Sequence, residues 1–384
     1  RLSAYHLSEW VAWNWWRLRW EPRSTVVRDW PTSHRLSTIG GGYIWPNITI
    51  FSDGERIALI ANPTEERPQT PFRYLADTAA IIQASEFEAG IDVFVDQVLE
   101  RLATEKLVES NLKTVWQSVL EERRTPAVAR ARKLEALSGH DPDECDPNLV
   151  KQLIADSDAL GADAIDEIAA DQTKNGTIPT AEELRDIAAA NGYDTIPRDA
   201  VRLAHGSGLP RLGQVPAWRI GAAAANALRQ QERLDVRRIS NEKLASMAGI
   251  RSAVLSDKKS NKGMSFALDE STKQGRVVFR SKWQTGRRFE LARILGDRIA
   301  RQQSSRLVPA TRSYTYRQKL QRSFAAEFLS PFEAVEEMLA GDYSMESQQE
   351  VAEHFDVSPM TIRTLLVNHK RLERDGLDFE IAAA

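Results

Sequence analysis

The chain has 384 residues, 42% hydrophobic and 27% charged, with 51 Lys/Arg against 54 Asp/Glu for a net charge of −3. This is enough apolar content for two or three cores. The longest apolar runs fall far short of the ~20 residues needed to span a bilayer, and no signal peptide is visible at residue 1, so a cytoplasmic protein without membrane contact is expected. Cys145 is the only cysteine, which excludes disulfides within the chain and any C-x-x-C zinc knuckle.

Residues 1–75 form a Trp-rich opening unit holding seven of the ten Trp. Trp10, Trp13, Trp16 and Trp20 keep a helical spacing and predict one aromatic stripe. Interleaved with Arg17, Arg19, Arg23 and Arg28, such a stripe could stack on bases, but the large area each indole buries makes core packing the expected role. A β-hairpin follows, Tyr43 to Phe51 and Arg56 to Ala61, turning at Ser52-Asp53-Gly54-Glu55. Gly40-Gly41-Gly42 precedes this strand pattern rather than a helix, so it is no phosphate cradle.

Residues 76–140 read as a helical segment, with Phe87, Ile91, Phe94, Val95, Val98 and Leu102 in one periodic run and Leu112, Trp116 and Leu120 in the next. Pro126 and Gly139-His140-Asp141-Pro142 are breaks. Residues 141–210 form an acidic Ala/Asp-rich helical segment, with Thr180 ahead of Glu183 at capping-box spacing. Between Asp141 and Asp171 there are ten Asp/Glu against Lys151 alone. The cluster from His140 to Asp146 mixes hard and soft ligands, but reads first as a solvated acidic connector. Of the six His (His6, His34, His140, His205, His354 and His369) no two stand at i,i+3 or i,i+4. There is no G-x-S-x-G, and Cys145 among carboxylates is expected to have a raised pKa, the wrong direction for a nucleophile.

The most informative stretch lies in residues 211–384: Arg287-Arg288-Phe289-Glu290-Leu291-Ala292-Arg293-Ile294-Leu295-Gly296-Asp297. It resembles the metal helix of ImmA/IrrE-type metallopeptidases, R-R-F-x-L-A-H-E-L-G-H, in which two His bind zinc and the Glu activates the bound water. Arg293 stands at the first His position, Ile294 at the Glu and Asp297 at the second His. Pro216 to Gly221, Ala225 to Arg229 and Leu244 to Ile250 resemble the helices leading to it. Met264 to Leu268 and Arg276 to Phe279 resemble the preceding hairpin, and Phe324-Ala325-Ala326-Glu327-Phe328-Leu329-Ser330-Pro331 a later helix end. The resemblance covers about residues 211–370. It implies an α+β, predominantly helical fold with a zincin-like helical core and a small β-hairpin or sheet. It also implies a third ligand, a carboxylate, before Phe324; no Asp or Glu lies between Asp297 and Glu327. A guanidinium repels a dication and Ile takes no proton, so no catalytic residue, metal or cofactor is expected. Arg293 and Asp297 then read as an i,i+4 ion pair on a helix face.

Two further features follow. Gln349 to Leu366 fits a helix-turn-helix template: Ala352 inside the first helix, Asp356 at the turn, Ser358 as N-cap, and Ile362 and Leu365 packed inward. In a DNA reader Pro359, Met360, Thr361, Arg363 and Thr364 would face the groove; in the family such a pair packs against the catalytic domain. From Lys273 to Arg322 there are fourteen Lys/Arg against Glu290 and Asp297. That density suits nucleic acid, with Arg301, Arg306 and Arg312 as candidate phosphate contacts, or an acidic partner, including the chain's own 141–171 segment. The expected function is that of a catalytically degenerate ImmA/IrrE-like pseudoenzyme. It would act as a regulatory or binding subunit beside a repressor or defence-system component in bacterial stress response, mobile elements or phage defence. The alternatives are an active zinc metallo-endopeptidase cleaving a repressor, or a DNA-binding transcriptional regulator.

Overall fold

The computed structural model describes residues 2–24, 27, 29–64, 73–171, 178–204, 208–261, 263–301 and 305–373. Arg28 and His205 lie outside them. Among the described residues, sixteen α-helices and two antiparallel sheets give an α+β molecule that is 56% helical, the expected class. None of these helices is long and apolar enough to cross a membrane.

The chain opens with α1 (Ala4–Trp13), capped by Ser3, and α2 (Trp15–Trp20). The expected Trp stripe is not continuous. Asn14 interrupts it, donating from its side-chain amide to the Trp10 carbonyl at 2.8 Å, as short amides do when they compete with a helix. The break resets the helical phase: Trp15, Trp16 and Leu18 are buried, whereas Trp13 is 57% exposed. Trp15 stacks with Phe87 and meets Trp116 edge-on, so most of the aromatic run is core, with its members reassigned. After α3 (Trp30–His34) comes the hairpin of β1 (Ile48–Ser52) and β2 (Arg56–Ala61). Gly54 takes the positive φ its turn needs, and the Asp53 carboxylate accepts from the Arg56 N–H at 2.8 Å. The first strand starts at Ile48, not at Tyr43.

A third strand, β3 (Thr78–Gln83), pairs with β2 where a helix was expected. Its Thr-Ala-Ala-Ile-Ile-Gln lacks the polar alternation that marks a half-buried strand. Gln83 then forms a capping box with Glu86 to start α4 (Ala84–Thr104). The helices α5 (Asn111–Arg124) and α6 (Pro126–Leu137) complete this bundle, with Pro126 opening its helix rather than merely breaking one. Next come α7 (Pro147–Leu160), α8 (Ala162–Ala169) and α9 (Ala181–Asn191), the last with the expected Thr180–Glu183 capping box.

The short strand β4 (Tyr193–Thr195) precedes α10 (Ala217–Gln231) and α11 (Asn241–Met247). The second predicted hairpin is present as β5 (Ser265–Asp269) and β6 (Gly275–Val278), followed by α12 (Gln284–Arg301). With β7 (Leu307–Ala310) it becomes a four-stranded sheet, ordered β4-β6-β5-β7. Strand β4 reaches it from the acidic segment, so the sheet draws on both sides of residue 210. Helices α13 (Tyr316–Leu329), α14 (Phe332–Leu339), α15 (Met345–Phe355) and α16 (Pro359–Asn368) end the fold. The main core joins α10, α12 and α13 to α15 and α16 through Leu291, Leu295, Phe324, Phe328, Phe355 and Ile362. Two glycines set its depth. A Cβ on Gly296 would lie 2.5 Å from the Phe324 ring, and one on Gly221 2.5 Å from the Leu320 carbonyl, so α13 sits against both helices at close range.

Candidate functional site

Helix α12 is buried along almost its whole length because it lies between the four-stranded sheet and α13. Its framing residues serve structure. The Arg288 guanidinium is fully buried and donates to Asn241 Oδ1 at 2.6 Å and the Ile239 carbonyl at 2.9 Å, with Asp356 at 3.3 Å. Leu291, Ala292 and Leu295 are core.

Of the three positions where the resemblance would place the zinc ligands and the base, two, Arg293 and Asp297, enter a polar network. Arg293 donates through Nη2 to the Thr311 carbonyl at 2.6 Å and to Gln318 Oε1 at 2.5 Å. Asp297 is held by both arms of Arg317, at 2.8 and 2.6 Å, and accepts from Gln321 Nε2 at 3.1 Å. Gln318 and Gln321 each also donate to the Pro309 carbonyl, at 3.1 and 3.0 Å. Ile294 is packed in the core at 1% exposure. The expected Arg293–Asp297 ion pair is therefore replaced: each finds its partners on α13 and the strand beside it. A carboxylate taken from water needs a hydrogen-bonded countercharge, and Arg317 supplies a bidentate one where Arg293 would not.

The electrostatics follow from burial. Burial and the neighbouring Arg322 pull Arg293 down to about 9, since none of its hydrogen-bond partners is charged. Burial pushes Asp297 up, but Arg317 reverses the sign and holds it below the ordinary carboxylate range. Arg317 is raised in turn: burial works against its charge and Asp297 overcomes it. Glu167 on α8 accepts from the Thr315 hydroxyl at 2.6 Å, and burial raises its carboxyl despite nearby Arg317. A cavity of about 100 Å³ adjoins this network where the opening unit, α8 and α13 meet; Trp20, Asp163, Glu167, Arg301, Tyr316 and Arg317 are among its walls.

Among the described residues, no group of three His, Cys, Asp or Glu stands close enough to hold a metal ion. In the 140–146 loop, Asp143 takes both arms of Arg132 at 2.8 and 2.9 Å, and Asp141 lies 3.6 Å from Arg17. Cys145 is buried, and burial raises its thiol, as its acidic surroundings suggested.

The candidate nucleic-acid residues fall in two places. Arg301 is paired with Asp163 at 2.5 Å and so lies against the acidic segment. Arg306 and Arg312 are exposed at the two ends of β7, an edge strand. Their main chains are used internally: the Arg306 carbonyl accepts from the Asp269 N–H at 2.7 Å, and the Arg312 N–H donates to Asp171 Oδ1 at 3.0 Å. On α16, Thr364 is exposed and Arg363 half-buried, but Thr361 is 6% exposed and cannot meet a groove. Its place in the first turn is taken up by the cap, with Ser358 Oγ accepting from the Thr361 N–H at 3.3 Å. Asp356 adopts the left-handed conformation expected at the turn, and Ala352, Ile362 and Leu365 are buried.

Sequence reading missed Arg317, Gln318, Gln321 and Glu167. A faint signal existed. Arg317-Gln318-Lys319 and Gln321-Arg322 load a helix with polar groups just before the apolar Phe324 to Leu329, and Glu167 interrupts an Ile-rich helix. His34 was missed too; it is fully buried, bridging the Ile50 carbonyl at 2.7 Å and Glu21 at 2.8 Å. No family model, curated protein or solved structure matches the chain.

Proposed function

We propose that the chain is a catalytically degenerate ImmA/IrrE-like protein with a zincin-like helical core, acting as a regulatory or binding subunit in a bacterial stress, mobile-element or phage-defence system. One observation carries this reading: Arg293 and Asp297 are committed to Gln318, Gln321 and Arg317, and Ile294 is core. Zinc needs three lone-pair donors and an open position, and here a salt bridge and two amides occupy the ground between α12 and α13. A protein partner, a repressor or another defence component, fits this role.

The test is metal content together with cellular activity. Protein purified from zinc-supplemented medium is expected to hold well under one zinc per chain, with a melting temperature indifferent to chelator. Arg293→Ala and Ile294→Ala should change cellular activity only as far as they change folded protein. Stoichiometric zinc, with peptidase activity lost on chelation, would favour the metallo-endopeptidase reading instead. A second reading, direct DNA binding through α15 and α16, draws on the Asp356 turn and on exposed Pro359, Met360 and Thr364. The exposed Glu346, Glu350 and Glu353 on α15 weigh against it, since they would meet phosphates with like charge.

A further inference from the structure

Independently of that reading, the surface before α12 combines features found together nowhere else among the described residues. Trp283 is 68% exposed, the most exposed indole described. Lys282 lies beside its ring, Nζ 5.0 Å from the centroid. Exposed on the same two loops are Lys258, Lys259 and Arg280. No carboxylate lies within ion-pair distance of Lys258, Lys259 or Lys282 among the described residues, and Arg280 has only a 3.8 Å approach to buried Glu290. Asp257 is the one acid on these loops, and its Oδ1 is occupied by the Lys258 and Lys259 N–H groups at 2.5 and 3.1 Å.

A single buried guanidinium holds the two loops side by side. Arg287, fully buried, donates to the carbonyls of Val254 and Lys259 on one loop and to the Ser281 carbonyl at 3.0 Å on the other. Glu290 accepts from the Arg280 and Ser281 N–H groups at 3.1 Å, and the Trp283 N–H donates to Ser281 Oγ at 3.1 Å. The indole therefore stands on backbone that is already ordered, so a ligand need not order it. Leaving a large ring in water costs burial energy, and surrounding it with unpaired cations adds self-repulsion. A partner with a flat π-face and regularly spaced negative charge relieves both.

We propose that the loops 254–261 and 279–284 form a binding site for single-stranded nucleic acid, with Trp283 as the stacking platform for an unpaired base and Lys258, Lys259, Arg280 and Lys282 as phosphate contacts. Duplex is disfavoured, because its bases are already stacked on one another. The site differs from the arginines flanking β7 and from α16.

The test is fluorescence anisotropy of the full chain with end-labelled dT12, rU12 and a 12-base-pair duplex at 50 and 200 mM salt. One or both single strands should bind more tightly than the duplex, and the relative strength of dT12 and rU12 identifies which nucleic acid is preferred. Trp283→Ala should weaken binding about 5- to 150-fold, the loss of one stacked base, without changing the melting temperature. Trp283→Phe should recover part of it. The double variant Lys258→Gln/Lys282→Gln should reduce the slope of log K against log salt by about 1.4, ~0.7 per lost single-strand contact. No binding to either single strand at 50 mM salt would overturn the proposal, as would equal binding by Trp283→Ala. Binding of poly-glutamate without binding of either single strand would assign the surface to an acidic protein and likewise overturn the proposal.

Discussion

Single side chains decide what the space between α12 and α13 can do. Asp297 and Arg317 are each about 4% exposed and bonded by both arms, so removing one leaves the other charged and dry. Asp297→Ala should therefore destabilise the chain by about 3–5 kcal/mol, the usual cost of breaking a buried pair, read as a fall in the urea midpoint. A change within ~1 kcal/mol would show that water reaches Arg317. Loss of activity in this variant thus reports folding, and the same control applies to Ile294→Ala, a core truncation that costs about 2–5 kcal/mol. Glu167 behaves in the opposite way. Burial raises its carboxyl above the unfolded value, so the folded state binds the proton more tightly. The associated stability is fully present below the unfolded pKa and is lost as pH rises through the raised folded one. Glu167→Gln, which keeps an acceptor for the Thr315 hydroxyl, should raise the melting temperature at pH 7, and the gain should vanish towards pH 4. A pH-independent difference would mean that the carboxyl is not the group that matters.

Elements obey packing, and packing explains which of them could be read from residue patterns. The hairpin at residues 48–61 was legible because Asp53-Gly54 marks a turn between apolar runs, whereas the one at 265–278 came from the resemblance alone. Strands β3, β4 and β7 were not: two of them have four residues or fewer, and each exists because a neighbouring strand offers it hydrogen bonds. That is tertiary context, which a local window does not hold. The α15–α16 pair was legible in detail, down to the cap at Ser358 and the left-handed Asp356, whereas the burial of Thr361 depended on how α16 seats against α13 and α14. The polar network at Arg293 was hidden for the same reason, since its partners stand 18 to 28 residues away on other elements. Gly296 illustrates a frame residue with a packing cause. A Cβ there meets the ring of Phe324, itself fully buried and without room to retreat. Replacing a helix Gly by Ala gains about 1 kcal/mol in propensity, while overpacking a tight core costs about 1–3 kcal/mol. Overpacking should win. Gly296→Ala should lower the urea midpoint, and a variant as stable as the parent would show that α12 and α13 are further apart than this contact requires.

At the scale of the whole molecule, the acidic and basic stretches meet, but among the described residues a single ion pair joins them: Asp141, Asp143 and Asp166 pair instead with Arg17, Arg132, Arg130 and Lys133. The acidic segment meets the basic stretch at Asp163–Arg301, at Glu167–Thr315 and at Asp171 with the Arg312 amide. The opening unit joins the same place through its hairpin turn. Asp53 pairs with Lys319 at 2.9 Å, both side chains about nine-tenths buried, and its carbonyl accepts from the Tyr316 N–H at 2.7 Å. Three stretches that composition separates thus converge on the first turns of α13. Nothing local to Asp53 reveals this, because the residue already has a sufficient role in its own turn. Burial lowers Lys319, so its ammonium depends on Asp53 for compensation. Asp53→Ala should destabilise the chain by about 3–5 kcal/mol, and part of that loss would come from the turn itself. The double variant Asp53→Ala/Lys319→Met separates the two, because removing both charges of a buried pair is often close to neutral. It should recover most of the loss, leaving only the turn's share. Hydrogen exchange reports where the loss falls: amides of β1 and β2 should exchange faster in the single variant and return towards the parent rate in the double. If the double variant is no more stable than the single one, the turn holds Asp53 for local reasons and the opening unit is docked by the Tyr316 backbone contact and its apolar neighbours instead.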